Sequence, residues 1–567
     1  MGSSKVQTAP KAEKYSFHHG ALGEVIGRRR GEDVVQFRGI PYASIPGRFR
    51  QSILNKELPS QPFWATNPGP ACPQADQPYF KYWEAALPDD FPVLEPTCFE
   101  EFGCLNLSLS IPAKALAVGA KKIPVLVFIH GGAYVNGSHA IQLSGREVFD
   151  GTGVVRHSIS LKKDILVVGI NYRVGPLGFL ASRDISELNA KHKEDIGNYG
   201  LHDQRRALEW LNCFVAGFGG DPDNITIQGT SAGASSCHFQ SMFPKRKFVR
   251  AIYASGTATG VGARDMSYHQ EVYDNLVNTV ASDVPRDKAL EKLSLCNVKD
   301  LTHKVTWIIC YPLIENKYIP QSNYSGLAHD EDLPDVMVGV ADYEAELSMF
   351  LFTNLATKKP KTDSEIVQQI NSTILFNHSF DFPTSNALTY PDFQPILKAY
   401  HLEENLTSPS THLDNFCHLL GNIMFDVPSL YLALSYQKSR SKGRVWLYYY
   451  SITNQYPASH AYGRAHHGVN DLLLFNSAPD MIPREDRESW DKSVAQTQRS
   501  WIEFVNGDEP WCAVRRDASV RDVLGMGPIY KFEDQGKSSE FGKLKDCVGE
   551  ELARQYDSLL QASRLVD

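Results

Sequence analysis

Residues 224–235 read Asn-Ile-Thr-Ile-Gln-Gly-Thr-Ser-Ala-Gly-Ala-Ser, so that a short β-branched stretch runs directly into Gly229-Thr230-Ser231-Ala232-Gly233. These five residues have the form G-x-S-x-G, which places a serine on a sharp turn between a strand and a helix with its hydroxyl exposed. Both glycines are needed because a side chain at either position would clash with the neighbouring strand and helix. The stretch predicts a strand, a turn that presents Ser231 as a candidate nucleophile, and a helix. A buried turn serine is the alternative interpretation of this segment taken alone.

Other segments predict the sheet to which this turn belongs. Residues 123–129 and 165–170 are continuous apolar runs, which are typical of parallel strands covered by helices on both faces. Residues 203–211 carry apolar side chains at helical spacing. Strands and helices thus alternate through the serine turn, which predicts an α/β fold with an open, mostly parallel sheet. Ligands of such sheets bind beyond the carboxyl ends of the strands, which is where Ser231 falls.

The remaining chain extends this pattern without an evident linker or repeat. We therefore expect one domain over residues 15–567, preceded by a disordered arm of residues 1–14. Within the domain we expect a small N-terminal sheet, two further helical segments and one late strand. These elements are predicted at residues 16–45 (sheet), 402–437 and 541–565 (helices) and 445–450 (strand).

Composition narrows the class of protein. The chain has 567 residues and a net charge of −8, which argues against nucleic acid as a partner because phosphate binding needs clustered positive charge. No run approaches the ~20 apolar residues of a membrane span, so none is predicted. The N-terminal residues lack the apolar region of a signal peptide, so we expect a cytoplasmic protein, or a secreted one if a leader was removed.

A serine nucleophile needs N–H donors, which stabilise the oxygen that becomes negative during acyl transfer. His130-Gly131-Gly132-Ala133-Tyr134 follows the apolar run 123–129, and its paired glycines leave backbone N–H groups unobstructed. This is the form of the oxyanion loop of lipases and esterases, in which the residue after the nucleophile, here Ala232, supplies a further N–H. An ordinary Gly-Gly turn is the alternative. We expect His130 to have a structural role.

The serine also needs a base and an acid that orients the base, which follow the nucleophile in the order acid, then histidine. Residues 335–344 form a short apolar strand followed by carboxylates, and a solvated acidic loop is the alternative interpretation. Residues 464–472, beyond the late strand, contain His466 and His467. From the residues alone, the choice of acid and of base stays open.

Several longer motifs carry a family resemblance. They are Phe-Arg-Gly-Ile-Pro-Tyr-Ala at 37–43, Pro-Ala-Cys-Pro-Gln at 70–74, Asn-Tyr-Arg-Val-Gly-Pro-Leu-Gly-Phe at 171–179, Gly-Asn-Tyr-Gly-Leu-His-Asp-Gln at 197–204, and Phe-Gly-Gly-Asp-Pro at 218–222. From about Gly20 to beyond Pro510 the chain resembles the type-B carboxylesterases, the group that includes cholinesterases and fungal lipases of the α/β-hydrolase fold.

The resemblance implies a role for each candidate residue. It makes Ser231 the nucleophile, Glu344 the acid and His467 the base, since His467-Gly468 matches the family's His-Gly pair and Phe475 falls where the family has a phenylalanine. Glu346 and His466 are the neighbouring alternatives. The implied oxyanion hole consists of the backbone N–H groups of Gly132, Ala133 and Ala232, with Gly131 shaping the loop.

The resemblance also implies a disulfide between Cys72 and Cys104, with Cys98 as a competitor. The family's second disulfide has no complete match, because only Cys296 stands in the expected region. This weakens the case for an oxidising compartment, so Cys72 and Cys104 are also compatible with a reduced state. Before the nucleophile, where the family usually has glutamate, this chain has Thr230.

Between Cys72 and Cys104 lies an insertion rich in aromatic residues, which the resemblance identifies as a flap at about 72–104. Its rings predict an apolar entrance suited to hydrophobic esters. They are Tyr79, Phe80, Tyr82, Trp83 and Phe91.

The sequence therefore predicts serine-dependent hydrolysis of carboxylic esters through an acyl-enzyme, with a hydrophobic small-molecule ester as substrate and no metal or organic cofactor. An acyl-transfer or lactone-forming enzyme that uses the same triad is the first alternative. A noncatalytic binding protein is the second.

Overall fold

The apolar runs that end in the predicted turns form neighbouring strands of one large sheet. The computed structural model describes residues 13–75, 97–143, 146–303, 310–319, 333–345, 390–402, 409–439, 442–516 and 523–562. The strands in these ranges are β1 (Lys14–His19), β2 (Gly23–Arg30), β3 (Val34–Pro41), β4 (Ala43–Ser44), β5 (Ile53–Leu54), β6 (Phe63–Trp64), β7 (Asn106–Pro112), β8 (Ile123–Ile129), β9 (Gln142–Leu143), β10 (Arg146–Glu147), β11 (Leu166–Ile170), β12 (Gly220–Thr230), β13 (Arg250–Ala254), β14 (Asp335–Ala341), β15 (Val445–Tyr450), β16 (Ile529–Glu533) and β17 (Lys537–Phe541).

The main sheet has the order β1-β2-β3-β7-β11-β8-β12-β13-β14-β15-β16-β17, with β6 beside β2. From β11 to β16 every neighbouring pair in this order is parallel. Antiparallel strands continue the sheet at both edges. The predicted α/β fold with a mostly parallel sheet is confirmed. The N-terminal strands β1 to β3 join this sheet, while β4 and β5 form a separate two-stranded sheet.

Helices cover both faces of the sheet. They are α1 (Thr152–Ser160), α2 (Gly175–Phe179), α3 (Arg183–Lys191), α4 (Tyr199–Phe214), α5 (Ala232–Met242), α6 (Met266–Val280), α7 (Ala289–Leu295), α8 (Val298–His303), α9 (Tyr390–Ala399), α10 (Pro409–Gly421), α11 (Val427–Lys438), α12 (Val469–Phe475), α13 (Arg487–Asn506) and α14 (Leu544–Ala562). A π-helical turn, Asn422–Asp426, joins α10 to α11.

Strand β8 shows why its sequence is apolar at successive positions. Val125 and Val127 belong to the hydrophobic core on one face of the sheet, whereas Leu126 and Phe128 belong to the core on the other face. Successive side chains of a strand point to opposite faces, so a strand between two cores must be apolar throughout.

One helical stretch, Leu413–Gln437, is long and apolar enough to cross a membrane by length and composition alone. Of its most apolar window, 78% is buried inside the protein, as in the core helix of a globular domain. The predicted arm falls mostly on residues 1–12, outside the described ranges, and Lys14 already belongs to β1.

A buried ion pair fastens the end of β11 to helix α4. Arg173 donates from Nε and one Nη to the two carboxylate oxygens of Asp203, at 2.7 and 2.8 Å, and both side chains are at most 2% exposed. The guanidinium also donates to the carbonyl oxygen of Arg50 at 2.7 Å. Because burial removes water from both charges, each depends on its partner for compensation.

We predict that Asp203→Asn lowers the free energy of unfolding by about 3–5 kcal/mol, because the buried Arg173 charge loses its carboxylate. Urea denaturation followed by circular dichroism measures this change. The control is Glu488→Gln, which breaks an exposed pair with Lys492 on α13 and should leave the denaturation midpoint close to that of the wild type. Equal midpoints for both variants would contradict the prediction.

Candidate active site

The topology brings the predicted site loops to one edge of the sheet. In the register of β12 with β8, Gly229 stands opposite Ile129, so the loops that begin at His130 and Ser231 leave neighbouring strands side by side. In the register of β14 with β15, Ala341 stands opposite Tyr450. The segments that carry the candidate acid and base therefore emerge at the same carboxyl edge.

Ser231 occupies the strained turn between β12 and α5. Its φ of 62° and ψ of −129° are disfavoured for a residue with a side chain, and such a conformation costs about 1–3 kcal/mol. Its N–H donates to the carbonyl oxygen of Ala254 at 3.0 Å, and its carbonyl oxygen accepts from the N–H of Ser235 at 3.0 Å. The side chain lies in the sheet edge, with 5% of the residue exposed.

The two glycines of the motif make this turn possible. A Cβ added to Gly229 would lie 2.2 Å from the carbonyl carbon of Gly233. A Cβ added to Gly233 would lie 2.2 Å from the carbonyl oxygen of Ile129. Both distances are well inside van der Waals contact with backbone that cannot move aside. The spacing G-x-S-x-G is thus a requirement of the close approach of helix, strand and neighbouring loop.

The oxyanion loop, defined here as residues 130–137, lies against the serine turn. A Cβ added to Gly131 would be 3.3 Å from the Cβ of Ser231. The Nδ1 atom of His130 is 2.9 Å from the carbonyl oxygen of Gly131, and since a carbonyl only accepts, Nδ1 carries the hydrogen. In a trans peptide the N–H points opposite to the C=O, so this bond fixes the direction of the Gly132 N–H.

His130 is held as a neutral ring, in agreement with its expected structural role. Its ring stacks on Tyr172 at a centroid distance of 4.3 Å, and the Tyr172 hydroxyl donates to the carbonyl oxygen of His130 at 2.8 Å. Burial lowers the pKa of His130 to about 4. At neutral pH it therefore orients the Gly131–Gly132 peptide without adding a charge.

Glu344 and His467 form the most direct contact of the site. The Nδ1 atom of His467 lies 2.5 Å from Oε2 of Glu344, with side-chain exposures of 0% and 1%. The second carboxylate oxygen, Oε1, accepts from the N–H of Ala341 at 2.7 Å. The carboxylate is thereby fixed from both sides and holds the imidazole in one orientation.

Backbone pairing joins the loops that carry these two residues. The N–H of Tyr343 donates to the carbonyl oxygen of Ala465 at 2.9 Å, within an isolated parallel bridge between Tyr343 and His466. The N–H of Asp342 donates to the carbonyl oxygen of Tyr450 at 2.9 Å. The chain after β14 thus pairs first with the end of β15 and then with the loop that carries His466, which brings Glu344 to His467.

The π-helical turn between α10 and α11 packs against the same pair. The ring of Phe425 lies 4.3 Å from the ring of His467, centroid to centroid. A Cβ added to Gly421 would lie 2.9 Å from the carbonyl carbon of Glu344. π-Helical turns inside α-helices are found frequently at functional sites. Here the turn closes the side of the site that faces the helices.

The alternative candidates have other surroundings. His466 accepts at Nε2 from the side-chain amide of Asn454 at 3.1 Å and donates from Nδ1 to the carbonyl oxygen of His467 at 2.8 Å, and burial lowers its pKa to about 4. Asp342 accepts from the hydroxyl of Tyr449 at 3.0 Å. Glu346 lies outside the described residues, as do the flap aromatics at 79–91.

Thr230 links the serine turn to the segment that follows His467. Its hydroxyl donates to Oδ1 of Asp471 at 2.9 Å, and the side chain of Asn470 donates to the same oxygen at 2.9 Å. A Cβ added to Gly468 would lie 3.9 Å from Cγ2 of Thr230. The residue that replaces the family's usual glutamate therefore holds the histidine turn beside the nucleophile. The hydrogen bonds that Asn470 and Asp471 make were not predicted from the sequence.

A second buried carboxyl lies behind Glu344. Asp426 accepts at Oδ2 from the hydroxyl of Tyr556 at 2.6 Å. Burial first, and the nearby charge of Glu344 second, raise the pKa of Asp426 well above its usual range. The pKa of Asp471 is also raised by burial, to about 7, against the opposing hydrogen bonds from Thr230 and Asn470. Nothing in a local sequence pattern distinguishes such buried acids from exposed ones.

The predicted disulfide partners are buried neighbours. Cys72 and Cys104 carry no disulfide in the structure, and the Cys72 thiol together with burial raises the pKa of Cys104 well above its usual range. Cys98 is exposed. A Cys72–Cys104 disulfide stays a prediction that thiol counting under non-reducing conditions tests. Within the described ranges, no group of three or more His, Cys, Asp or Glu residues is arranged to hold a metal ion.

Comparison with known proteins assigns the class. The model of the carboxylesterase family matches residues 16–522, and the chain belongs to this family. It is a carboxylic ester hydrolase of the α/β-hydrolase fold.

Three similar proteins are lipases by name. Lipase 3 of Yarrowia lipolytica is 25% identical over 526 residues, which cover 90% of this chain and 94% of that protein. Bile salt-activated lipase of Mus musculus is 25% identical over 510 residues, covering 85% and 76% of the two chains. Lipase 2 of Diutina rugosa is 30% identical over 348 residues, covering 56% and 60%.

We predict that Asp471→Asn changes the pH dependence of stability. With a folded pKa of about 7 and an unfolded value near 3.8, the folded wild type binds the extra proton between these values, so its stability falls as pH rises toward 7. Asparagine does not titrate, so the free energy of unfolding of the variant lacks this pH-dependent decrease. Its unfolding free energy relative to the wild type should therefore rise by about 3 kcal/mol between pH 5 and pH 8.

Urea denaturation at the two pH values measures this difference. Asp223→Asn is the control, because Asp223 is exposed at the start of the β12 segment and its replacement should follow the wild type at both pH values. If Asp471→Asn also runs parallel to the wild type, Asp471 is not a buried carboxyl with a raised pKa.

Proposed function

We propose that this esterase hydrolyses carboxylic esters through an acyl-enzyme formed on Ser231, with His467 as the general base and Glu344 as the acid that orients it. The observation that carries the proposal is the buried 2.5 Å hydrogen bond between His467 and Glu344, on loops at the same sheet edge as the strained Ser231 turn. A serine hydroxyl needs such an oriented base because it is a weak nucleophile at neutral pH.

The hydrogen bond also selects the tautomer of the base. A carboxylate only accepts, so Nδ1 of His467 carries the hydrogen and Nε2 of the neutral ring is an acceptor. In the first step Nε2 takes the Ser231 proton as Oγ forms a bond to the ester carbonyl carbon. Glu344 stabilises the imidazolium that results, and it stays ionised throughout.

Backbone N–H groups of the oxyanion loop and of Ala232 stabilise the negative charge that develops on the ester carbonyl oxygen. The negative carbonyl oxygen accepts from the N–H groups of Gly132, Ala133 and Ala232. Imidazolium then gives its proton to the alcohol oxygen, and the carbon–oxygen bond to the alcohol breaks. Water attacks the acyl carbon with His467 as base, Oγ recovers its proton, and the acid leaves.

Hydrophobic esters are the proposed substrate class. The relatives named above are lipases, and the predicted flap at 72–104 is rich in aromatic residues. Phe99 and Phe102, in the described part of this segment, are 50% and 56% exposed. Apolar rings at the surface of this segment are compatible with an apolar substrate. A panel of p-nitrophenyl esters of increasing acyl length tests this choice.

The location of the protein stays open to test. One relative, from Gibberella zeae, is by name a secreted triacylglycerol lipase and is 31% identical over 345 residues, which cover 57% of this chain and 54% of that protein. This supports the secreted alternative, whereas the incomplete match to the family's second disulfide favours the predicted cytoplasmic location. The redox state of Cys72 and Cys104 in protein isolated from its natural source distinguishes the two.

We predict that Ser231→Ala abolishes covalent labelling by a fluorophosphonate and lowers kcat for p-nitrophenyl esters by on the order of 10⁵-fold or more. The matched control is Ser235→Ala, four residues along α5, whose hydroxyl donates to the carbonyl oxygen of Val261 at 2.9 Å. This control should still be labelled. Labelling of the Ser231 variant at the wild-type level would remove Ser231 as nucleophile. Product analysis with an added alcohol separates hydrolysis from acyl transfer, because both use the same acyl-enzyme.

We predict that Glu344→Gln lowers kcat by about 10³–10⁴-fold while leaving the fold intact, because an amide that donates to Nδ1 favours the tautomer that cannot accept the serine proton. Steady-state kinetics at pH 8 and thermal denaturation measure the two effects. Asp342→Asn, two residues earlier on the same loop, should change kcat by less than about tenfold. A similar loss in both variants would show that the loop, and not the Glu344 carboxylate, is responsible.

A further inference from the structure

The oxyanion loop has a backbone shape that its own sequence disfavours. Ala133 and Tyr134 have φ values of 53° and 63°, and the glycines Gly132 and Gly137 have values of 106° and 115°. Each residue with a side chain in this left-handed region costs on the order of 1 kcal/mol or more. The loop therefore needs contacts from elsewhere in the protein to keep its shape.

The side chain of Gln74 supplies such a contact at the far end of the loop. Its Oε1 accepts from the N–H of Gly137 at 2.8 Å, and its Nε2 donates to the carbonyl oxygen of Gly137 at 3.0 Å. The amide thus pairs with both backbone groups of one residue, as a neighbouring strand would. The same Nε2 donates to the carbonyl oxygen of Cys72 at 3.0 Å, which fixes the orientation of the amide.

Gly137 in turn lies against the atoms that aim the oxyanion hole. A Cβ added to Gly137 would be 2.3 Å from Nδ1 of His130 and 2.6 Å from the carbonyl oxygen of Gly131. These two atoms form the hydrogen bond that sets the plane of the Gly131–Gly132 peptide. A displacement of Gly137 would therefore change the orientation of the Gly131–Gly132 peptide.

The segment that carries Gln74 is itself anchored to the sheet. The carbonyl oxygen of Pro70 accepts from the side chains of Asn106 and Asn171, at 2.7 and 3.2 Å. The thiol of Cys72 accepts from the N–H of Val174 at 3.4 Å. Gln74 can thus transmit a fixed position to the loop.

We propose that Gln74 is a positioning residue for the oxyanion hole, which fixes Gly137 and, through it, the Gly131–Gly132 peptide whose N–H faces the reacting carbonyl oxygen. This inference rests on the proposed function. Hydrogen bonds to the oxyanion strengthen as charge develops on the oxygen, so they stabilise the transition state more than the bound substrate. Loss of the Gln74 contact should accordingly lower kcat and leave KM nearly unchanged.

Two variants of Gln74 test this directly. Gln74→Met keeps the length of the side chain but removes both hydrogen bonds to Gly137. Gln74→Asn keeps the amide but shortens its reach by one methylene group. Both should lower kcat for a p-nitrophenyl ester by roughly 10- to 100-fold, with KM within about threefold of the wild type. If the methionine variant does not fold, the asparagine variant carries the same expectation.

A tetrahedral inhibitor separates positioning from a merely structural role. An alkylboronic acid forms a tetrahedral adduct on the serine, so its inhibition constant should rise by about the same factor as kcat falls. The control is Gln51→Met, which removes another amide that bridges loop carbonyl oxygens, those of Asp195 and Gly197, both at 2.9 Å. This control should change neither kcat nor boronic acid affinity.

Three results would each overturn the role of Gln74. The first is a wild-type kcat in both Gln74 variants. The second is a fall in kcat with unchanged boronic acid affinity, and the third is an equal fall in kcat in Gln51→Met. A wild type that neither turns over esters nor reacts with a fluorophosphonate would instead refute the proposed function itself, so the two failures are distinguishable.

Discussion

The close approach of backbone to backbone at the carboxyl edge of the sheet is the constraint on which the site depends. Ser231 can adopt its left-handed turn only because Gly229, Gly233 and Gly131 leave no Cβ between helix, strand and loop. Gly256 is required for the same reason, since a Cβ at this position would lie 2.4 Å from the carbonyl oxygen of Ser231. The strain of the turn is thus maintained by packing that has no room to relax, and the backbone that carries the hydroxyl is fixed before any substrate arrives.

Three buried carboxyl groups lie around this turn, and their surroundings determine which of them carries a charge. Glu344 is the carboxylate that contacts the histidine, and its second oxygen is satisfied by a backbone N–H. The pKa of each of two other buried carboxyls, Asp426 and Asp471, is raised by burial. Asp426, and Asp471 below pH 7, are therefore largely protonated, so neither places a second full negative charge beside Glu344. Thr230 contributes to this balance, because a hydroxyl next to the nucleophile binds Asp471 without a second charge.

The sequence predicted those parts of the molecule that are encoded locally. The apolar strands, the serine turn and the glycine loop each have a short pattern with a steric cause, and the late strand Val445–Tyr450 has the predicted bounds. The choice between neighbouring residues came from the resemblance instead. Glu344 and His467 are 123 residues apart, and what brings them together is the pairing of Tyr343 with His466 beyond the ends of β14 and β15. No periodicity reports such a pairing, so residue patterns alone left the acid and the base open.

The Gln74 contact was not predicted either, because no local sequence pattern marks a contact between distant segments. It shows that different contacts position the triad candidates and the oxyanion loop. Ser231 and Glu344 stand just beyond the ends of β12 and β14, and His467 lies in a loop that pairs with the extension of β14, so backbone hydrogen bonds determine their positions. The oxyanion loop leaves the sheet after His130, and its shape depends on side chains from distant segments, namely Tyr172 and Gln74. Two sets of contacts therefore hold the groups around Ser231. Backbone hydrogen bonds of the sheet hold the residues of proton transfer, and side-chain contacts hold the oxyanion loop. In such an arrangement, sequence changes outside the sheet can alter how well the negative oxygen is stabilised while the acid–base pair stays in place.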